Sequence, residues 1–317
     1  MKVAILGATG KTGSSVVSGL LESTEPLYEI TALIRPSSLE KAPAQELRQK
    51  GVNVVAADLS WPEDRLTEVL RGIEVVISTI DAANLLSQIP LANASKAAGV
   101  GRFAPCSFAT VAPPKGVIIL RDLKEDVLNH IKKIYLPYTV IDVGWWYQIT
   151  LPRLPSGRID YAVNPGEPEI TGDGNTPSAL TDIEDIGRYT ARIIADPRTL
   201  NRMVFAHSAL YTQNQVYDLI EKLSGEKIAR KYVSSEDIQA LIAKAEAEQD
   251  GPQSPNFYKL ASYQYRNSWG IRGDNTPEHA QYLGYLNANE LFPDMKGKSF
   301  EAYCKDVLDG KGYAVYR

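Results

Sequence analysis

The sequence predicts an α/β protein whose core is a parallel, doubly wound sheet, followed by a smaller α/β lobe. Three observations carry this prediction. Short apolar segments alternate with helical segments through the first half of the chain, and three glycines spaced by two residues directly follow the first apolar segment. Beyond about residue 150, Pro, Gly and Asn interrupt the alternation. Apolar strands separated by helices are typical of a parallel sheet that helices cover on both faces.

Each predicted element follows from its local pattern. Runs rich in Val and Ile predict strands at 2–6, 29–34, 53–56, 74–79, 101–106 and 137–143. Apolar residues at helical spacing predict helices near 12–22, 38–50, 63–71, 85–98 and 120–135. Parallel strands joined in this way need right-handed crossovers. The apolar run at 202–207 predicts one further core strand.

The change of pattern near residue 150 predicts two parts. Residues 1–150 form the domain built on the parallel sheet, and the chain returns to that sheet near 178–208. Residues 151–177 and 209–317 form a smaller lobe, expected to bind the substrate. A chain of 317 residues is long enough to bury the core of such an arrangement.

Composition excludes several classes of function. The net charge of −4 gives no general attraction for nucleic acid or for a membrane surface. No apolar run approaches the length of a membrane span, and the first strand begins at the N-terminus, so no signal peptide is expected. Two cysteines without a pairing pattern fit a reducing compartment, which predicts a cytoplasmic protein. The sequence leaves monomer and homodimer open.

The glycine turn predicts the first ligand. Gly10-Lys11-Thr12 resembles the end of a P-loop, but that motif needs a glycine where Ile5 stands. A strand before the turn and a helix after it are typical of a dinucleotide-binding turn, in which N–H groups at the helix start bind the pyrophosphate. The alternative is a tight β–α turn without a ligand. We predict an NAD(P)-binding Rossmann fold with contacts at Gly7, Ala8, Thr9, Gly10, Lys11, Thr12 and Gly13.

The end of the second strand predicts which dinucleotide binds. NAD-binding sites usually carry an acidic residue there, which binds the ribose hydroxyls. This chain has Arg35 instead, followed by Ser37 and Ser38. A guanidinium forks onto phosphate oxygens, so these residues favour the 2′-phosphate of NADPH. The alternative is a solvated surface arginine.

The other strand ends predict further contacts, because ligands of open parallel sheets bind beyond the carboxyl ends of the strands. Cofactor contacts are expected at Asp58, Thr79, Ile80, Asp81, Cys106, Ser107 and Phe108. Substrate contacts are expected at Gly144, Trp145, Trp146, Tyr147 and Tyr161. Aromatic residues there are expected either to sandwich a flat substrate or to fill the seam between the two lobes. For Cys106, a small buried thiol is the favoured interpretation.

Five segments together resemble one protein family. GATGKTG, LIRPSS, KAAGVGRFAPCSF, LKEDVLNHIKKIYLPYTVID and TDIEDIGRYTARIIADPRTLN follow one another as in the NmrA-like, isoflavone-reductase-like branch of the atypical short-chain dehydrogenases/reductases. The resemblance implies a Rossmann domain with a small C-terminal substrate lobe and a preference for NADPH. It implies one of two roles: reduction of small aromatic or natural-product substrates, or redox sensing without chemistry.

The resemblance also implies an active-site lysine, which falls on Lys124. In the reductases the segment after the fifth strand typically reads Pro-Ser-Glu-Phe-Gly, whereas here it reads PCSFA at 105–109. Phe108 is kept, Ser107 stands in place of the acidic residue, and Ala109 in place of the glycine. These departures weaken any transfer of substrate identity.

The residues alone leave two roles open for Lys124. Main-line short-chain dehydrogenases use Tyr-x-x-x-Lys, and no lysine of this chain has a tyrosine four positions before it. Lys124 borders the apolar stripe of its predicted helix. There it can bind the cofactor by a hydrogen bond to the nicotinamide ribose and polarise or protonate a substrate, or it can remain a solvated lysine. The three histidines have no metal-ligand spacing, so no metal site is expected.

Two hypotheses of function follow. The first is an NADPH-dependent reductase of a small, aromatic or conjugated metabolite, with Lys124 as the catalytic residue. The second is a non-catalytic, NADP(H)-responsive protein that regulates a partner. Lys124 and the aromatic residues favour the enzyme, while the altered segment at 105–109 leaves the sensor open.

Overall fold

A computed structural model describes residues 1–166, 169–252 and 254–316. The chain divides into two compact units. The first unit contains residues 1–108, 122–141 and 184–204, and the second contains 109–121, 142–183 and 205–317. The segment 184–204 of the first unit lies within the predicted return near 178–208. The segment 109–121, which the sequence analysis placed within 1–150, lies in the second unit.

The first unit is built on a parallel sheet with the strand order β3-β2-β1-β4-β5. Because β1 is central, the chain crosses over in one direction after β1 and in the other after β3, as in a doubly wound sheet. The five strands are β1 (Lys2–Leu6), β2 (Glu29–Ile34), β3 (Asn53–Ala56), β4 (Val75–Ser78) and β5 (Arg102–Ala104).

Helices follow the strands of this sheet in the predicted order. They are α1 (Lys11–Glu22), α2 (Ala42–Gln49), α3 (Glu63–Val69), α4 (Ile89–Ala97) and α5 (Ile119–Lys133). Strand β6 (Thr139–Asp142) comes next, and a parallel bridge between Phe103 and Tyr138 continues the sheet toward it. The predicted α/β Rossmann fold is therefore confirmed.

Burial explains why these segments form strands. Val3, Ile5 and Ile77 have no exposed surface, because helices cover both faces of the sheet. A strand buried on both faces reads as a continuous apolar run rather than an alternating one. Pro105 ends the fifth strand sooner than the predicted 101–106, since proline has no N–H group for the sheet.

The second unit contains smaller sheets and most of the remaining helices. A three-stranded sheet has the order β11-β9-β7, and β12 pairs with β8. The remaining strands are β7 (Trp145–Trp146), β8 (Ile170–Thr171), β9 (Ser178–Thr181), β10 (Arg202–Phe205), β11 (Ala209–Tyr211), β12 (Tyr232–Val233) and β13 (Leu286–Asn287). The remaining helices are α6 (Ile183–Ala195), α7 (Gln213–Ser224), α8 (Ser235–Glu248), α9 (Pro255–Asn267), α10 (Pro277–Tyr282), α11 (Ala288–Leu291) and α12 (Phe300–Leu308).

Two of these elements belong mainly to the first unit. Strand β10 lies beside β6, and most of α6 falls within 184–204. Within the ranges that the structure describes, no helix is long and apolar enough to cross a membrane.

Candidate functional site

The carboxyl ends of the first unit's parallel strands meet at one edge of the sheet. This edge holds the glycine turn after β1, Arg35 after β2, Asp58 after β3, Thr79 after β4 and Cys106 beyond β5. Strands that run in the same direction bring their C-terminal ends together although these residues are far apart in sequence. The structure therefore brings the predicted cofactor residues to one side of the first unit.

The glycine turn is closely packed at two positions and open at the third. Gly7 has a φ of +81°, and a Cβ there would lie 2.6 Å from the carbonyl oxygen of Thr79. A Cβ at Gly13 would collide with the carbonyl of Gly7. Gly10 has an ordinary extended backbone, and its Cβ would meet only the Gly7 oxygen, at 3.2 Å. Gly7 and Gly13 are required by the fold, whereas the backbone conformation at Gly10 does not by itself require a glycine.

The start of α1 suits an anion. Its first turn carries no acidic residue, and no side chain in the described ranges caps it at Gly10. The first N–H groups of a helix lack partners within the helix, and the helix dipole places positive charge there. The cradle at Gly10, which a side chain would fill, and these N–H groups fit the pyrophosphate of a dinucleotide.

Arg35 and Asp58 follow neighbouring strands of the sheet. Arg35 is exposed and starts a 3₁₀ turn over Pro36–Ser38, which contains Ser37 and Ser38. The hydroxyl and amide of Ser60 donate to Asp58 at 2.7 and 2.9 Å, and these bonds, with a smaller effect of the Arg35 charge, lower the pKa of Asp58. The carboxylate is thus charged, and the exposed guanidinium remains within reach of a phosphate.

Residues 79–81, which follow β4, make hydrogen bonds that stabilise the glycine turn and the segments beside it. The buried Thr79 hydroxyl donates to the carbonyl of Leu6 at 2.8 Å, and so supports the glycine turn. Asp81 accepts from the amide of Ala83 and caps the 3₁₀ segment Ala82–Gln88. The carbonyl of Ile80 accepts from the thiol of Cys106 at 3.1 Å, and Cys106 is half-buried rather than buried.

Lys124 reaches this edge of the sheet from α5. Its ammonium donates to the carbonyl oxygen of Ser107 at 2.6 Å. Lys124 is half-buried, Ser107 is buried, and both belong to the first unit. The lysine that the family resemblance singled out is therefore attached to the loop beyond β5, where the resemblance also placed the site.

Within the second unit, two of the predicted substrate residues stay half-buried. Trp145 and Trp146 form β7, which pairs with β9. Gly144 precedes them with a φ of +73°, and a Cβ there would lie 2.5 Å from the carbonyl oxygen of Ala179, so Gly144 is required by the backbone. The Trp145 ring lies 5.4 Å from that of Tyr265 and 5.7 Å from that of Trp269, measured between centroids.

Tyr147 and Tyr161, two predicted substrate contacts, each have hydrogen bonds to backbone groups of the second unit. The Tyr147 side chain is completely buried, packs on Phe300 and Tyr303, and donates its hydroxyl to the carbonyl of Lys298. The Tyr161 hydroxyl donates to the carbonyl of Val307 and accepts from the amide of Gly312. Apolar packing leaves the Tyr147 ring no exposed surface, whereas Tyr161 is 36 % exposed. Their assignment as substrate contacts stays a prediction.

Sequence reasoning missed a buried charged group. Within the second unit, Asp142 accepts from Arg121 and from the Tyr285 hydroxyl, both at 2.7 Å. Asp142 has no exposed surface and Arg121 is 3 % exposed. Arg121 and Tyr285 lie 21 and 143 residues from Asp142 in the sequence, so no local spacing predicts these contacts.

Comparison with known proteins supplies the family. The model of the NmrA-like family matches residues 1–269. The asnovolin J 5′,6′-dehydrogenase of Aspergillus novofumigatus is 48 % identical over 315 residues, which cover 98 % of this chain and 96 % of that protein. An isoflavone reductase-like protein of Olea europaea is 28 % identical, over 95 % of this chain and 97 % of that protein.

A solved structure agrees at the level of the fold. The binary complex of leucoanthocyanidin reductase with NADPH from Vitis vinifera aligns with a TM-score of 0.81 at 23 % identity, and covers 98 % of this chain and all of that one. The glycine turn, the parallel sheet and the family match over 269 residues agree with one another. They confirm the resemblance seen in the sequence: the chain belongs to the NmrA-like family.

Proposed function

We propose that this chain is an NADPH-dependent oxidoreductase that moves a hydride between the nicotinamide cofactor and a small organic metabolite. The observation that carries the proposal is the contact of Lys124 with the Ser107 carbonyl. It fixes an ammonium group on the same sheet edge as the glycine turn and Arg35.

The first unit provides a place for each charged part of the cofactor. The open side of Gly10 and the uncapped start of α1 suit the pyrophosphate. Arg35, with Ser37 and Ser38 beside it, suits a 2′-phosphate, which NADH lacks. When bound, the nicotinamide supplies or accepts the hydride, and the protein supplies binding, orientation and charge.

Lys124 supplies a proton or a fixed positive charge. A substrate that receives a hydride develops negative charge on its electronegative atom, and an ammonium nearby stabilises that charge or protonates it. In the opposite direction the neutral amine accepts the proton. The half-buried position excludes part of the water that would screen this charge.

The named relatives support both directions of hydride transfer. The relative at 48 % identity is named as a dehydrogenase of asnovolin J, and the solved relative as a reductase. Asnovolin J is therefore the first substrate to test, with NADP⁺. Aromatic ketones, enones and imines with NADPH follow, because the aromatic cluster of Trp145, Tyr265 and Trp269 suits a flat or conjugated substrate.

The experiment follows NADPH absorbance with the purified chain in both directions. Turnover of asnovolin J or of a conjugated carbonyl compound supports the oxidoreductase. Tight NADPH binding without turnover of any compound in the panel would contradict it and favour the cofactor-sensing alternative.

A further inference from the structure

The peptide group between Ser107 and Phe108 is bonded at both of its ends. Its N–H, on Phe108, donates to the carbonyl of Ile141 in β6 at 2.8 Å. Its C=O, on Ser107, accepts from the Lys124 ammonium at 2.6 Å. In a trans peptide these two groups point in opposite directions, so one rigid plane connects β6 to the lysine.

The backbone that follows this peptide is strained. Phe108 has a φ of +45°, in the left-handed region that non-glycine residues seldom adopt. Its ring is buried, with 3 % exposed, so the side chain has no freedom to relieve the conformation by moving into solvent. A bulky residue held in this region costs free energy, and such residues concentrate at functional sites.

Cys106, which precedes Ser107, is held by hydrogen bonds of its own. The amide of Cys106 donates to Oε1 of Gln88 at 3.0 Å, and the Nε2 of this fully buried glutamine donates to the carbonyl of Leu85. The Cys106 thiol donates to the carbonyl oxygen of Ile80. With Cys106 held on one side, the orientation of the peptide plane between Ser107 and Phe108 depends on the φ and ψ of Ser107 and on the φ of Phe108.

We propose that Phe108 is a positioning residue, whose left-handed backbone turns the Ser107 carbonyl toward Lys124 and so fixes the ammonium group for catalysis. A return of Phe108 to negative φ would rotate the peptide plane and break both of its bonds. The loop backbone, rather than an acidic side chain at position 107, then holds the lysine. The catalytic part of this inference rests on the proposed function, whereas the geometric part does not.

The first test measures the geometry without activity. If Lys124 holds the peptide plane, Lys124→Met should raise the hydrogen-exchange rate of the Phe108 amide about tenfold or more, since opening of this plane becomes easier. Lys124→Arg retains a donor and should keep the exchange slow. Lys132→Met, an exposed substitution on the same helix, is the matched control, and the Ile5 amide in the core reports global opening.

The second test compares isomeric side chains at position 108. Leu and Ile have the same volume, but a β-branched residue is strongly disfavoured at positive φ. The kcat of Phe108→Ile should therefore be on the order of tenfold lower than that of Phe108→Leu. Backbone strain of this kind is large enough to lower a rate by about tenfold or more. The NADPH Kd should be similar in the two variants.

The outcomes separate the two proposals. An unchanged Phe108 exchange rate in Lys124→Met, with Ile5 also unchanged, would overturn the positioning role whatever the enzyme does. Faster Phe108 exchange with no turnover of any substrate would retain the geometry and reject the oxidoreductase. Equal kcat values for the Leu and Ile variants, at equal thermal stability, would show that the conformation of Phe108 does not serve catalysis.

Discussion

The amide of Gly187 donates a 2.9 Å hydrogen bond to the hydroxyl of Ser15, across the contact between α6 and α1. A Cβ at Gly187 would collide with the Ser15 carbonyl, and one at Gly19 would collide with the Gly187 backbone. The two helices therefore touch backbone to backbone. Because α1 begins at the glycine turn, this contact fixes the direction in which its first N–H groups point.

The helix contact predicts a large cost for one added methyl group. Gly187→Ala should lower the free energy of unfolding by about 1–3 kcal/mol, the usual range for overpacking, because neither backbone can withdraw. Urea unfolding measures this. Ser14→Ala, an exposed change on α1, is the control. Equal stability of the Gly187 variant and the wild type would show that the helices separate at no cost.

The glycine turn predicts opposite results at two of its positions. Gly10→Val should abolish NADPH binding and leave the fold intact, because its backbone is ordinary and its side chain enters the pyrophosphate cradle. Gly13→Ala should destabilise the fold itself, because its Cβ meets the Gly7 carbonyl. Circular dichroism and calorimetric titration separate the two effects. Retained binding in a folded Gly10→Val protein would place the phosphate elsewhere.

Arg35 predicts the choice of cofactor. NADPH should bind more tightly than NADH, and Arg35→Ala should remove about 1.5–3 kcal/mol of NADPH binding, the range for hydrogen bonds to charged groups. NADH binding should change little. Arg71→Ala, before β4 at the opposite edge of the sheet, is the control arginine. Calorimetry with both cofactors checks this, and equal affinities in the wild type would reject the assignment.

Lys124 predicts a defect of rate rather than of binding. Lys124→Met should lower kcat by about 10²–10⁴-fold, the usual contribution of general acid–base catalysis. The NADPH Kd should rise only slightly, since the glycine turn and Arg35 carry most of the binding. Turnover of the first substrate found, compared with that of Lys132→Met, is the measurement. A mutant with the wild-type rate would make Lys124 an ordinary structural lysine.

His207 predicts a loss of stability in weak acid. Burial lowers the pKa of this histidine, whose ring stacks on Phe205. Below about pH 6.5 this histidine therefore binds a proton in the unfolded chain more readily than in the folded chain. The free energy of unfolding then falls as pH falls, by at most about 1.4 kcal/mol per pH unit. Urea unfolding near pH 7.5 and 5.5 should show a smaller difference in His207→Gln. An unchanged difference would exclude His207 as a source of the acid sensitivity.

The sheet could be predicted because the sequence patterns that specify its strands and turns are local. The runs of Val and Ile, the glycine turn and the alternation with helices each lie within a few residues. All five strands of the sheet fall within their predicted ranges, although β5 is shorter than predicted. The family resemblance was confirmed for the same reason, since its motifs are continuous segments. The position of Arg35 at a strand end followed from the same local pattern.

The rest depends on partners distant in sequence. The sequence around Tyr147 does not tell whether its ring lines a pocket or packs in the core. Its burial depends on Phe300 and Tyr303, which are more than 150 residues away in the sequence. Arg102 lies in β5 as predicted, but its burial and its hydrogen bonds to Thr139 and Thr199 depend on residues far along the chain. The left-handed Phe108 could not be anticipated either, because its φ is imposed by neighbours and not by its own preference.

The interleaving of the two units has a consequence for how the protein is made. Ser15 leaves the ribosome early, but its hydrogen-bond partner Gly187 is translated 172 residues later. At about 5–20 residues per second, α1 waits on the order of 10–30 s for the helix that it packs against. During that interval the nascent chain carries the glycine turn on a helix whose Gly19 face is uncovered. A fragment ending at residue 150 would lack Gly187 and the rest of α6, so the Gly19 face of α1 would stay uncovered in it.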